Sequence, residues 1–219
     1  MQLIKFDTEK FKFSKRLKEI LLNNEVELNH IHNVLKVNEV FKRENDQSTN
    51  YHKKFYEFAR TEEFEKMYSQ FIKEVIKPIY DGKEIVYQKI PTFRIHLPGN
   101  IAVGEFHKDK AYRNLDWADK VKEDNYYFPM TDVFGTNTIW VESEEDKGDY
   151  SPMECKYGEL YKWDGSNLMH GNKLNDTGFT RVSVDFRVML KENYIPSDHG
   201  SIRSEEHTSE LQSPDHLVC

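Results

Sequence analysis

From Arg181 to Val188 the chain alternates without exception: Arg181, Ser183, Asp185 and Arg187 interleave with Val182, Val184, Phe186 and Val188. A period of two puts each set on its own face of a β-strand. The apolar set must be covered by packed side chains. The polar set faces either solvent or a cavity, and in a buried strand it needs partners, because an unpaired polar group is expensive to bury. Such a strand implies a sheet with a layer of other elements on one side.

That layer is legible upstream. Residues 1–80 read as mostly helical. Phe11, Phe13, Leu17, Ile20 and Leu21 form a stripe within Phe11–Asn24. Phe64, Met67, Tyr68, Phe71, Ile72, Val75, Ile76 and Ile79 recur at steps of three and four within Tyr51–Tyr80, where Pro78 supplies a stop. These aromatics read as core. From Asp81 the pattern changes to short strand-like runs: Glu84–Lys89, Phe93–Leu97, Ile101–His107, Asn137–Glu142, Met153–Tyr157, Leu160–Trp163 and Arg181–Leu190. Turn signals separate them at Pro98-Gly99-Asn100, Asp146-Lys147-Gly148, Trp163-Asp164-Gly165 and Gly171-Asn172. The expected class is α+β, an antiparallel barrel or sandwich backed by helices. With 219 residues, 13% of them aromatic, a single domain over residues 1–202 is the expectation. Its helical part is 1–80 and its barrel part 81–190.

The tail 203–219 stands apart. Arg203 to Ser213 reads as the translation of a short-read sequencing-library adapter, and Leu217-Val218-Cys219 as its continuation. These residues are therefore set aside as an artefact. They carry one arginine and four acids, so the net charge of −7 becomes −4 without them. Either value disfavours a non-specific nucleic-acid binder. Cys155 and Cys219 alone make neither a disulfide framework nor a thiolate zinc site. No run approaches the ~20 apolar residues of a membrane helix, and the opening MQLIKFDTEK lacks the apolar stretch of a secretory signal. The expected location is cytoplasmic, with no membrane partner.

Three short motifs carry chemistry. His107-x-Asp109 puts an imidazole and a carboxylate two apart, on one face if the segment is a strand, with Glu105 beside them. Taken alone, the pair is equally a surface histidine next to a solvated acid. His170 lies in the turn-rich Asp164–Asn172 and taken alone could be structural. The third is the polar face of Arg181–Arg187. His107-x-Asp109, then His170 after sixty intervening residues, then Arg181-x-Ser183 eleven residues beyond His170, together resemble the Fe(II)/2-oxoglutarate-dependent dioxygenases. PTFRIHLPGNIAVGEFHKD and YKWDGSNLMHGN are similar to the bacterial StrG-like, streptomycin-biosynthesis branch.

The resemblance implies a double-stranded β-helix (a jelly-roll or cupin-like barrel) with the N-terminal helices packed on one sheet. It implies Fe(II) on His107, Asp109 and His170, and 2-oxoglutarate as cosubstrate held by Arg181 and Ser183. The reaction would be O2-dependent hydroxylation of a small polar metabolite, an amino acid or antibiotic-type intermediate, releasing succinate and CO2. Two imidazoles and one carboxylate on one face of an octahedral ion leave three positions for cosubstrate and oxygen. A guanidinium offers a forked donor to the far carboxylate. Asp109 argues for hydroxylation, since related halogenases have a small residue there.

Asn137 is a further candidate for the cosubstrate pocket. Arg94, Arg187 and Trp140 are candidates for binding an anionic or zwitterionic substrate, with His96 on the same face as Arg94. Arg94 could instead pair with an acid, and Arg187 could brace Asp185. Lys110–Pro129 reads as a lid or specificity loop. Two alternatives remain: a cupin-like metal-binding or isomerase domain without cosubstrate, and an AlkB-like nucleic-acid dealkylase, for which the two arginines Arg181 and Arg187 speak.

Overall fold

Threonine hydroxyls set the starts of two of the helices. The computed structural model describes residues 1–35, 47–102, 105–112 and 122–194. Helix α1 (Phe13–Leu22) ends at Asn23, which adopts φ 49°. Thr49 Oγ1 accepts from the His52 amide ahead of α2 (Asn50–Ala59), and Thr61 Oγ1 from the Phe64 amide ahead of α3 (Glu62–Phe71). Glu62, Glu63 and Glu65 suit the positive end of the α3 dipole. Thr61 thus divides the expected Tyr51–Tyr80 segment in two. Beyond α3 the winding widens, with the Lys77 amide reaching back to the Ile72 carbonyl. Pro78, which has no amide to donate, then leads a tight last turn closed by Asp81 at φ 52°.

Among the described residues nine strands follow or flank the helices: β1 (Gln2–Lys5), β2 (Ile85–Tyr87), β3 (Thr92–His96), β4 (Asp124–Pro129), β5 (Ile139–Val141), β6 (Ser151–Pro152), β7 (Glu159–Trp163), β8 (His170–Asn172) and β9 (Arg181–Leu190). All pairings are antiparallel. The larger sheet runs β1-β7-β4-β9-β2, with β3 also on β9; the smaller is β6-β5-β8. Single bridges at His107–His170 and Val133–Cys155 lie outside these strands. Among the described residues the sheets do not close into a barrel.

Several expectations need correction. Gln2–Lys5 is an edge strand inside the block expected to be helical. Ile101–His107 is not a strand in its described part; only His107 pairs. Met153–Tyr157 is replaced by β6 just before it and the bridge at Cys155. The segment read as loop, Lys110–Pro129, ends in β4, the centre of the larger sheet between β7 and β9. Asn125 through Pro129 are all buried, so the strand shows no alternation: both faces are covered. The lid reading of residues 113–121 lies outside the described residues, as does the tail 203–219.

The alternation of β9 becomes two layers. Val182, Val184, Phe186 and Val188 join the helices in the main core. Phe186 stacks on Tyr126 at 4.9 Å and meets Tyr68 edge-on at 5.6 Å. Phe128 stacks on Phe71 at 4.9 Å, with Phe6 and Phe13 edge-on to it, geometries favourable to the ring quadrupoles. On the other side of the larger sheet, Tyr127 and Trp163 pack with Ile139, Val141 and Met153 in a smaller cluster. Among the described residues no helix is long and apolar enough to cross a membrane.

Candidate metal centre

The two histidines meet through their backbones. The His107 amide donates to the His170 carbonyl at 2.8 Å and the His170 amide returns the bond at 2.9 Å. The close pair brings the rings to 4.5 Å between centroids. Phe106 packs against Gly171, where a Cβ would lie 2.8 Å from the Phe106 ring. Glycine is needed at 171 for approach, not for backbone conformation. Asp109 opens a short helical turn (Asp109–Tyr112), and its amide donates to the Gly165 carbonyl at 3.0 Å. One ligand atom from each of His107, Asp109 and His170 then lies within 4.8 Å of the others.

The ring orientations are fixed. Nδ1 of His107 donates to the Glu105 carbonyl at 2.8 Å, and Nδ1 of His170 to the Leu168 carbonyl at 2.9 Å. A carbonyl only accepts, so Nδ1 carries the proton and the neutral ring keeps its lone pair on Nε2. Both Nε2 atoms face Asp109 Oδ1, at 3.5 and 3.6 Å. Burial opposes ionisation of Asp109, but the nearby Arg187 guanidinium favours the carboxylate, and the carboxyl titrates well below its usual range. Burial also lowers His170, with Asp109 opposing. Two imidazole lone pairs and a carboxylate, each oriented by a hydrogen bond behind it, fit a divalent metal. Glu105 contributes its carbonyl here while its side chain is exposed.

Arg187 does not brace Asp185. Its Nη2 lies 3.3 Å from Asp109 Oδ2 and its Nε 3.0 Å from Glu123 Oε1, so the guanidinium is held between two acids. Asn125 also donates to Asp109 Oδ2, at 2.9 Å. The sequence reading missed Asn125 because it sits in the segment taken for a loop.

At the other end of β9's polar face, Arg181 is only 2% exposed. Its Nη1 donates to Asn172 Oδ1 at 2.8 Å and reaches the Asn137 carbonyl at 3.3 Å. Asn172, two residues after His170 on β8, shares its face; that spacing was the signal available for finding it. Arg181 Nε, Ser183 Oγ and Asn137 Nδ2 are buried with no hydrogen-bond partner among the described residues. Each of these three groups can donate to an anion. Arg94 lies across from Ser183 in the β3–β9 register, its Nε 3.8 Å from Asp185 Oδ2. Desolvation pushes Asp185 up to about 6, against the pull of Arg94 and Arg181. His96, fully buried between the carbonyls of Asn100 and Asn137, is pushed down to about 4 by burial and by the Arg181 charge. Trp140 pairs with Gly171 and Val141 with His170, so Trp140 is set on the face opposite to His170 and Asn172, under Lys173 at 3.1 Å. It is not brought to the triad.

No family model matches the chain. Over 170 residues it is 38% identical to the streptomycin biosynthesis protein StrG of Streptomyces griseus, covering 73% of this chain and 72% of that protein. The chain belongs to the StrG family. Solved structures with weaker likeness to this StrG relative include a non-heme monooxygenase described as a ThoJ-Ni complex, at 10% identity and TM-score 0.46, covering 85% of this chain and 71% of that one. Another is AviO1 from Streptomyces viridochromogenes Tue57, at 14% identity and TM-score 0.44, covering 89% and 90%.

Proposed function

We propose that this StrG-family chain is a cytoplasmic Fe(II)/2-oxoglutarate-dependent hydroxylase of a small polar metabolite. The observation that carries the reading is a pair of complementary groups: an oriented His107/Asp109/His170 set, and Arg181 Nε, Ser183 Oγ and Asn137 Nδ2, buried with no hydrogen-bond partner among the described residues. Unpaired buried donors in a folded protein call for a ligand, and a carboxylate supplies what these lack. The antiparallel sheets, linked by Arg181 to Asn172 and Asn137, support a jelly-roll reading of residues 1–202 as one domain. The relative's name, a streptomycin biosynthesis protein, supports a small-molecule biosynthetic substrate.

His107, Asp109 and His170 would hold Fe(II), and Arg181, Ser183 and Asn137 the far carboxylate of 2-oxoglutarate. With both bound, the site would supply oxidative decarboxylation to succinate and CO2, coupled to hydroxylation of the substrate by O2. The protein's own tasks are orientation and exclusion of water. The carbonyls of Glu105 and Leu168 hold the two Nε2 lone pairs inward. Asn172 holds one limb of the Arg181 fork. Arg94 and Asp185 would receive the opposite charges of a zwitterionic substrate.

Anaerobic addition of Fe(II) and then 2-oxoglutarate should produce a weak visible charge-transfer band. Arg181→Lys, which loses the forked donor, should raise the 2-oxoglutarate concentration needed for that band by about tenfold or more. Metal binding that never responds to 2-oxoglutarate would instead support a cupin-like domain without cosubstrate.

A further inference from the structure

We infer that Asn125 is a positioning residue for the metal, acting with Arg187 to occupy Oδ2 of Asp109 so that Oδ1 alone is presented as a monodentate ligand. The inference rests on reading His107, Asp109 and His170 as metal ligands. A carboxylate at a metal can bind through one oxygen or two, and the choice depends on what the second oxygen is already doing. Here Oδ2 accepts from Asn125 Nδ2 at 2.9 Å and faces Arg187 Nη2 at 3.3 Å, whereas Oδ1 faces the two histidine Nε2 atoms. Both donors stand on adjacent strands of the larger sheet, since Asn125 is the register partner of Arg187. A rigid sheet thus aims both groups at one oxygen.

The amide is itself held from behind. A Cβ built on Gly165 would lie 2.9 Å from both Cγ and Nδ2 of Asn125 and 3.1 Å from the Trp163 ring. Gly165 has no positive φ to account for its identity. What it provides is room: its backbone comes up against the Asn125 amide, while its carbonyl accepts from the Asp109 amide at 3.0 Å. The same residue therefore touches both ends of the Asn125–Asp109 contact. The Asn125 side chain makes no other hydrogen bond among the described residues, and its Oδ1 is buried without a partner there, so donation to Asp109 is its visible role.

The test is a titration of the full chain with Co(II), reading affinity and the visible d–d bands, whose intensity reports coordination number. Asn125→Leu, close in volume and without a donor, should weaken Co(II) binding by about 10–100-fold and alter the bands. Gly165→Ala keeps Asn125 but displaces its amide, and should do the same. Because both changes remove one contact, the double variant should be no worse than the poorer single one. The unfolding midpoint of each metal-free variant separates lost metal affinity from lost fold. Wild-type affinity and bands in both single variants overturn the inference and leave the metal site standing. So do losses that add in the double variant. A wild-type protein that takes up no Co(II) or Fe(II) overturns the inference and the proposed function together.

Discussion

Ser183 and Val184 are neighbours on β9 and almost equally buried, at 0% and 3% exposure, yet they belong to different parts of the molecule. Val184 lies in the aromatic core under the helices, among apolar groups, where it borders a small apolar void with Phe128 and Tyr68. Ser183 lies on the polar face with a hydroxyl that has no partner among the described residues, between Arg181 and Asp185. One face of the strand is covered by apolar packing, and the other carries buried polar atoms with no partner among the described residues. Unpaired buried donors carry a stability penalty, which the anionic ligand proposed above would offset.

The contrast can be broken from the core side with the largest effect. Phe128→Ala removes a fully buried ring packed on Phe71, Phe6 and Phe13. It should cost about 3–5 kcal/mol in urea denaturation while leaving Co(II) affinity of the folded fraction unchanged. A loss of affinity without loss of stability would show that the two faces are not separate.

The polar face should betray itself through pH. His96 titrates near 4 in the folded protein, below the ordinary 6.5 of an unfolded chain. The unfolded state then binds more protons between those values, so stability falls as pH drops through that window and is fully present above it. The expected loss from pH 7 to 4 is up to about 3 kcal/mol from this group. His96→Gln should remove that component from a comparison of denaturation curves at pH 7 and pH 4.5. An unchanged slope would mean that His96 is not the group responsible.

Ser183→Ala gives the smallest and sharpest effect. Deleting an unpaired buried hydroxyl should change stability by less than about 1 kcal/mol, in either direction. The same change should raise the 2-oxoglutarate concentration needed for the charge-transfer band. A destabilisation of 2 kcal/mol or more would reveal an internal partner for the hydroxyl and remove it from the binding face; that threshold is about the cost of stranding a buried polar group.

How much of this was visible in the chain depended on where periodicity survives. β9 was legible because its two faces differ, and α3 because its stripe is regular and Thr61 caps it. β4 was not, because a central strand covered on both faces has no alternation to read. Missing β4 hid Asn125. The triad residues were found from motif spacing, although the argument for their common face assumed a strand at Ile101–His107 that the fold does not contain. A backbone bridge to His170 and a helical turn at Asp109 bring them together instead. The sequence gives the face of Arg187 but not the acids it meets, Asp109 and Glu123.

The linear chain by itself settled which residue types could share a face, since a strand's period of two is a local property of the backbone. It therefore determined the division of β9, the helical layer that must cover it, and the short list of candidate metal-ligating side chains. Which oxygen of Asp109 is taken by Asn125 and Arg187, which tautomer each histidine holds, and which donors remain unpaired were decided only by tertiary structure. Those outcomes depend on distances between groups far apart in the chain, and a hydrogen bond forms or fails within a few tenths of an ångström.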